Sequence, residues 1–117
     1  MTKKLLIVDD DPGIVAVLFE MLTDEGYVVE TAVDGAAVRL APTSQPDLIL
    51  LDVMMPIMNG VEVSKRLKSD PVTQHIPIIA MSAGTTLRDR YKDMRADDFL
   101  AKPFEISDLL TKIKKFI

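Results

Sequence analysis

The run Asp47-Leu48-Ile49-Leu50-Leu51-Asp52 is a short aliphatic block closed by an acid on each side. With no polar alternation, it reads as a strand buried on both faces, the texture of a parallel sheet covered by helices. Leu5-Leu6-Ile7-Val8 and residues 76–80 share that texture. Residues 27–32 and 99–101 are weaker β-rich segments, which makes five expected strands. Working outward from the central block, helical patterns fill the gaps. Ile14, Val17, Leu18, Met21 and Leu22 recur at i, i+3, i+4, i+7 and i+8, an amphipathic stripe. Asp11 and Pro12 suit the N-cap and first position of that helix, and Gly26 suits its C′ end.

Ile106, Leu109, Leu110 and Ile113 repeat the stripe at the C-terminus, with Lys112, Lys114 and Lys115 in the last turns, where cations complement the helix dipole. Asp34 is expected to cap a helix over 36–41 stopped by Pro42. Asn59 is expected to cap one over 61–68 stopped near Pro71, and a further helix is expected over 86–95. The resulting βαβαβαβαβα pattern predicts a doubly wound α/β sandwich with helices on both faces. At 117 residues, the chain forms one domain, 1–117, with one sheet and no linker or repeat.

Composition narrows the function. A formal net charge of −4 argues against direct nucleic-acid binding, which normally shows a basic face. The absence of Cys removes disulfides, thiolate metal sites and a cysteine nucleophile. The apolar run after Lys4 is cut off by Asp9 to Asp11, too short for a signal peptide, and no stretch is long and apolar enough for a membrane span. A soluble cytoplasmic protein without membrane association is expected.

In open α/β sheets, ligands bind beyond the carboxyl ends of the strands. Those ends carry Asp9, Asp10 and Asp11, then Asp52, then Ser82 and Ala83, then Lys102 followed by Pro103. If the first, third, fourth and fifth strands are neighbours, these residues converge. Clustered carboxylates repel, and a hard divalent cation relieves them; oxygen ligands suit Mg²⁺. Lys102 can hold a phosphoryl oxygen as a point charge and Ser82 can donate to another. Carboxylates can act as phosphoryl-accepting nucleophiles.

The segments 6–11, 47–56, Asn59-Gly60, 78–83 and 98–104, in this order and spacing, resemble the receiver domains of two-component response regulators, most of all single-domain, chemotaxis-regulator-like ones. The resemblance covers nearly the whole chain. It implies a flavodoxin-like (βα)5 fold with a parallel five-stranded sheet of order 2-1-3-4-5. It implies that Asp52 accepts a phosphoryl group from a sensor histidine kinase or histidine phosphotransfer protein in a phosphorelay. Asp10 would ligate Mg²⁺ directly, Asp9 mainly through water, and Asp52 and the Met54 backbone carbonyl would complete the protein ligands.

Ser82 would follow the phosphoryl group, Lys102 would pair with the acyl phosphate, and Phe99 would be the switch aromatic. A cis Lys102–Pro103 bond is implied as well. The output partner would meet the surface of the fourth expected helix, fifth strand and last helix, near Arg88, Lys92, Phe99 and Ile106, with the chain a monomer or a phosphorylation-dependent dimer. Such a domain catalyses its own phosphorylation and slow autodephosphorylation and is otherwise not an enzyme.

Arg95 departs from the pattern, standing where receivers often have Gly. Phe99 lacks the hydroxyl of a Tyr. An aspartate-nucleophile phosphatase would need an acid two residues after Asp52, where Met54 stands. A dinucleotide-binding domain would need more glycines after the first strand than Gly13 alone. A degenerate, binding-only receiver would lack some of the acids or Lys102. The single histidine, His75, reads as a surface residue.

Overall fold

Leu48 to Asp52 form a strand in which every residue is buried, as a strand at the centre of a doubly covered sheet must be. The computed structural model describes residues 2–33, 35–54, 59–83 and 95–117. Its strands are β1 (Lys4–Val8), β2 (Val28–Ala32), β3 (Leu48–Asp52), β4 (Ile78–Ala83) and β5 (Asp98–Lys102). The helices among the described residues are α1 (Pro12–Asp24), α2 (Ala36–Ser44), α3 (Gly60–Ser69) and the C-terminal α4 (Ile106–Phe116). The strands make one five-stranded parallel sheet of order β2-β1-β3-β4-β5. The architecture is the expected flavodoxin-like α/β sandwich.

The two faces of the sheet carry separate cores. Leu6, Val8, Ile49, Leu51, Ile78 and Ala80 pack with Ala37 and Ala41 of α2 and Val63 and Leu67 of α3. Leu5, Ile7, Leu48, Leu50, Ile79 and Met81 pack with Leu18 and Leu22 of α1 and Leu109 and Ile113 of α4. Side chains alternate along a strand, so the two sets are interleaved in sequence. That interleaving is why the central runs look continuously apolar.

Local chemistry sets the helix ends. The Asp11 side chain accepts from the N–H groups of Gly13 (2.9 Å) and Ile14 (3.4 Å), with Pro12 at the first helical position. At the other end, Gly26 has φ 98°, its N–H donates to Thr23 O, and the Tyr27 N–H donates to Leu22 O. This is the Schellman closure that favours glycine. Asn59 caps α3 by accepting from the Glu62 N–H at 3.0 Å.

Three expectations need correction. The fourth strand begins at Ile78 and runs to Ala83, not over 76–80. Pro77 has no N–H for a ladder, and the Ile76 N–H is used in a turn to Thr73 O. Ser82 and Ala83 therefore lie within the strand rather than after it. The second helix is not stopped by Pro42 but runs through it to Ser44. Buried Ala37 and Ala41 anchor that helix to the sheet, and it closes at Gln45, left-handed at φ 49°, whose N–H donates to Ala41 O. Finally, the stripe on α1 is narrower than its periodicity suggests. Leu18 and Leu22 are buried, but Val17 is 56% exposed. Asp34 as a cap, Met55, Pro56 and the segment 86–94, including Arg88 and Lys92, lie outside the described residues.

Candidate functional site

Parallel register brings the strand ends level. Val8 pairs with Leu51, so Asp9 leaves β1 beside Asp52, the last residue of β3. Asp52 pairs with Met81, and Ala83 pairs with Lys102, the last residue of β5. Alternation puts Asp52 and Lys102 on the face of Leu50 and Leu100, towards α1 and α4. Ser82 and Phe99 fall on the opposite face, with Ala80, towards α3.

Lys102 joins the outer strand to the inner ones. Its Nζ lies 3.0 Å from Asp9 Oδ2 and 3.5 Å from Asp52 Oδ1. Strands β1 and β5 are three spacings apart, roughly 14 Å, so a nearly extended lysine is needed to make this contact. The Asp9 side chain is wholly buried and its Oδ1 also accepts from the Asp11 N–H at 2.9 Å. Asp52 is 6% exposed and also receives a long donation from the Met54 N–H at 3.4 Å. Its carboxyl is held above the ordinary carboxylate range. Burial is the main cause; Asp9 adds to it, while Lys102 and the Met54 N–H pull the other way.

Asp9, Asp10 and Asp52 each present an oxygen, and these lie within 4.8 Å of one another. Asp10 is exposed and Asp9 and Asp52 are buried, so the cluster opens to solvent on one side. Such a donor set, hard oxygens with one open side, fits a small divalent cation. Its excess negative charge, with a single ammonium facing Asp9 and Asp52 among the described residues, supplies the reason to bind one. Asp9, Asp10, Asp52 and Lys102, expected at one site, are thus together.

Ser82 is 5% exposed and lies one residue beyond the partner of Asp52. Phe99 is half-buried against the α2–α3 core. The Met54 side chain is 63% exposed and plays no part in the cluster. The Lys102–Pro103 bond is cis, as expected. His75 is exposed, a surface residue. Beside the cluster, a groove of about 690 Å³ runs between α1 and the start of α4, lined by Ile14, Val17, Phe104 and Ile106, with Asp11 and Lys102 also on its wall.

Periodicity gave no hint of two features. One is that Lys102 is closer to Asp9 than to Asp52, which depends on strand order and side-chain reach. The other is the contact of Gly60 with the backbone of β3. The Gly60 N–H donates to Val53 O at 2.8 Å, and α3 abuts the strand end there. The Asn59-Gly60 pair was a visible motif, but it carried no sign of that contact.

Comparison with known proteins agrees with this fold. The family model for the response regulator receiver domain matches residues 5–114. Response regulator PleD of Caulobacter vibrioides is 42% identical over 117 residues, covering 97% of this chain and 26% of that protein. RpaA of Synechocystis, a DNA-binding dual master transcriptional regulator, is 38% identical over 117 residues, covering 97% of this chain and 48% of that protein. The chain thus spans between about a quarter and a half of the length of these curated relatives.

Among solved structures, chemotaxis protein CheY4 of Vibrio cholerae superposes with a TM-score of 0.92 at 32% identity, covering all of both chains. The receiver domain of sensor histidine kinase PA1611 from Pseudomonas aeruginosa, solved with magnesium in its active-site cleft, has a TM-score of 0.89 at 30% identity. That match covers 99% of this chain and 98% of that one. Receiver domains are signalling domains of two-component systems. With the family model spanning nearly the whole chain and the fold shared along its full length, the chain belongs to the response regulator receiver domains.

Proposed function

We propose that this chain is a phosphorylation-switched receiver that takes a phosphoryl group onto Asp52 from a phosphohistidine on a sensor histidine kinase or histidine phosphotransfer protein. One observation carries the reading. Asp9, Asp10, Asp52 and Lys102 come from three strands and meet at one strand-end cleft, although burying two acids there is unfavourable.

Asp52 Oδ is the nucleophile: it forms a P–O bond as the donor P–N bond breaks, and the nitrogen electron pair returns to the imidazole. The transition state is loose and in-line, so the protein's work is positioning and charge stabilisation. Lys102 stands 3.5 Å from Asp52 Oδ1, within reach of a phosphoryl oxygen on that carboxylate. Asp9, Asp10, Asp52 and the Met54 carbonyl are the residues that would hold Mg²⁺, in keeping with the magnesium found in the PA1611 receiver. When bound, that ion would neutralise phosphoryl charge.

Ser82 and Phe99 share a sheet face one strand apart, which suits a coupled switch: the hydroxyl follows the phosphoryl group and the ring moves with it. The readout surface is then β5 with α4, near Phe99 and Ile106, together with the segment before β5, and the partner is an output protein or domain. The setting is the cytoplasm, and the chain acts as a monomer or pairs on phosphorylation. The described helices include none long and apolar enough to cross a membrane.

The test is transfer from a radiolabelled, phosphorylated kinase or from acetyl phosphate. Wild type should acquire an alkali-labile label that needs Mg²⁺, and Asp52→Asn should acquire none. Undiminished labelling of Asp52→Asn would remove Asp52 as the acceptor.

A further inference from the structure

Glycine serves different purposes along this chain. Gly26 is needed for its backbone, at φ 98°, and a Cβ there would meet nothing within 4 Å. At Gly13 a Cβ would approach only the Asp11 carboxylate, at 3.3 Å, a side chain that can move. Gly60 differs from both. It is the first residue of α3, with no left-handed backbone, yet a Cβ would lie 2.3 Å from the carbonyl oxygen of Asp52. It would also lie 2.7 Å from Val53 Cα and 3.0 Å from the Asp52 carbonyl carbon. All three are backbone atoms of the candidate acceptor and its neighbour, so no side chain can turn aside.

Both sides of this contact are fixed. On the helix side, Val63, Ser64 and Leu67 are buried, and the Gly60 N–H is bonded to Val53 O. On the sheet side, β3 is flanked by β1 and β4, and the Val53 N–H continues the ladder to Met81 O at 2.9 Å. An added methyl must open the gap by about 1 Å to reach ordinary contact. Something must yield, and the added methyl presses directly on the peptide that follows Asp52. Displacing it shifts the Asp52 carboxylate relative to Asp9, Asp10 and Lys102, which are held by other strands.

We propose that Gly60 is a positioning residue for the acceptor: its missing side chain lets α3 press against the Asp52–Val53 backbone and so fixes where the Asp52 carboxylate stands in the acidic cluster. This rests on the reading of Asp52 as acceptor in a metal-assisted transfer. The role is distinct from capping, which Asn59 performs.

The experiment compares wild type, Gly60→Ala and Asn59→Ala. Mg²⁺ affinity is followed by NMR titration, phosphorylation by acetyl phosphate at saturating Mg²⁺, and stability by urea unfolding. Asn59→Ala loosens the start of α3 without adding an atom at Asp52. It should lose stability and keep wild-type metal affinity and rate. Gly60→Ala should bind Mg²⁺ roughly tenfold or more weakly, as when supporting groups around a metal are disturbed. Its phosphorylation should be slower by on the order of a hundredfold, the cost of an ångström-scale misplacement.

If Gly60→Ala is unfolded in buffer, the same titrations are run in trimethylamine N-oxide, which favours the compact state. A folded Gly60→Ala with unchanged affinity and rate overturns the proposal while leaving Asp52 as acceptor, which the labelling of Asp52→Asn tests separately. Equal metal losses in Asn59→Ala and Gly60→Ala also overturn it, by making the effect one of helix stability. A wild type that neither binds Mg²⁺ nor is labelled overturns both readings.

Discussion

Two lysine–aspartate pairs sit at opposite ends of the same sheet, and they are built differently. At the amino ends of β4 and β5, Lys68 Nζ reaches Asp97 Oδ2 (2.8 Å), Ile76 O (2.9 Å) and Gln74 O (3.3 Å). Those three acceptors match the three donors of an ammonium. Asp97 in turn accepts the Ile78 N–H at 2.8 Å, and its own N–H donates to Ile78 O. At the carboxyl ends, Lys102 faces two buried acids, with Asp52 at a long 3.5 Å and its carboxyl pushed towards the neutral form. The first pair completes the fold. The second leaves charge over, and the surplus is negative. Two ends of one sheet therefore use the same residue types for closure and for the proposed phosphoryl-accepting site, and the difference lies in how many partners each charge has.

The largest effect should come from removing the ammonium at the reactive end. Lys102→Met should slow phosphoryl uptake by on the order of a hundredfold, as when one charge-stabilising donor is lost from a site. It should also destabilise the metal-free fold by about 3 kcal/mol, because Asp9 and Asp52 are left buried without their cation. Mg²⁺ should recover much of that stability in urea unfolding. A Lys102→Met variant as stable as wild type in chelator would mean the buried acids do not burden this end.

Lys68→Met sharpens the comparison from the other side. It should cost about 2 kcal/mol, from carbonyls and a carboxylate left short of a donor. Mg²⁺ should restore none of it, and the folded protein should be phosphorylated at the wild-type rate. Metal-dependent recovery in this variant would erase the distinction between the two ends.

Asp52→Asn tests the surplus charge itself, through stability rather than labelling. The folded carboxyl binds its proton more tightly than the ordinary value of 3.8. The stability associated with that proton is complete at pH below the unfolded value and is lost as pH rises through the higher folded value. Above that window, the wild type carries the full cost of an ionised Asp52. The Asn variant does not, so in chelator its urea midpoint should exceed wild type at neutral pH, and the gain should shrink to nothing in acid. A gain that is constant with pH would assign it to something other than ionisation. Added Mg²⁺ should reverse the order, because only wild type keeps the full ligand set.

These contrasts also explain what the sequence could show. Strand identity was legible because Leu48 to Leu51 are buried on both faces, and burial on both faces leaves no polar alternation. The acids were legible because strand ends in such sheets are where ligands bind. Boundaries are less so: Pro42 signals a stop, yet buried Ala37 and Ala41 carry the helix past it. Ile76 looks like the start of the fourth strand, but Pro77 withholds the ladder bond and the strand begins at Ile78. Nothing in the pattern of apolar residues gives the reach of Lys102 to Asp9 or the contact of Gly60 with Asp52. The first joins residues far apart in sequence, and the second depends on how closely α3 packs on the end of the strand before it.

The smallest effect concerns Arg95, where the sequence did raise the right question. Its φ is 58°, the left-handed region in which a non-glycine residue costs about 1 kcal/mol. Its guanidinium donates to Ser69 Oγ at 2.7 Å, an exposed bond beside Lys68. Arg95→Ala keeps the strain and loses that bond, so it should be less stable by about 0.5 kcal/mol. Arg95→Gly loses the bond too but removes the strain, and should exceed Arg95→Ala by about 1 kcal/mol. Neither change touches the acidic cluster, so metal affinity and phosphorylation rate should match wild type. If the Gly and Ala variants unfold at the same urea concentration, the left-handed backbone carries no cost here. If instead they differ as expected, the closed end of the sheet holds a left-handed residue against its backbone preference, whether or not its side chain is bonded to Ser69.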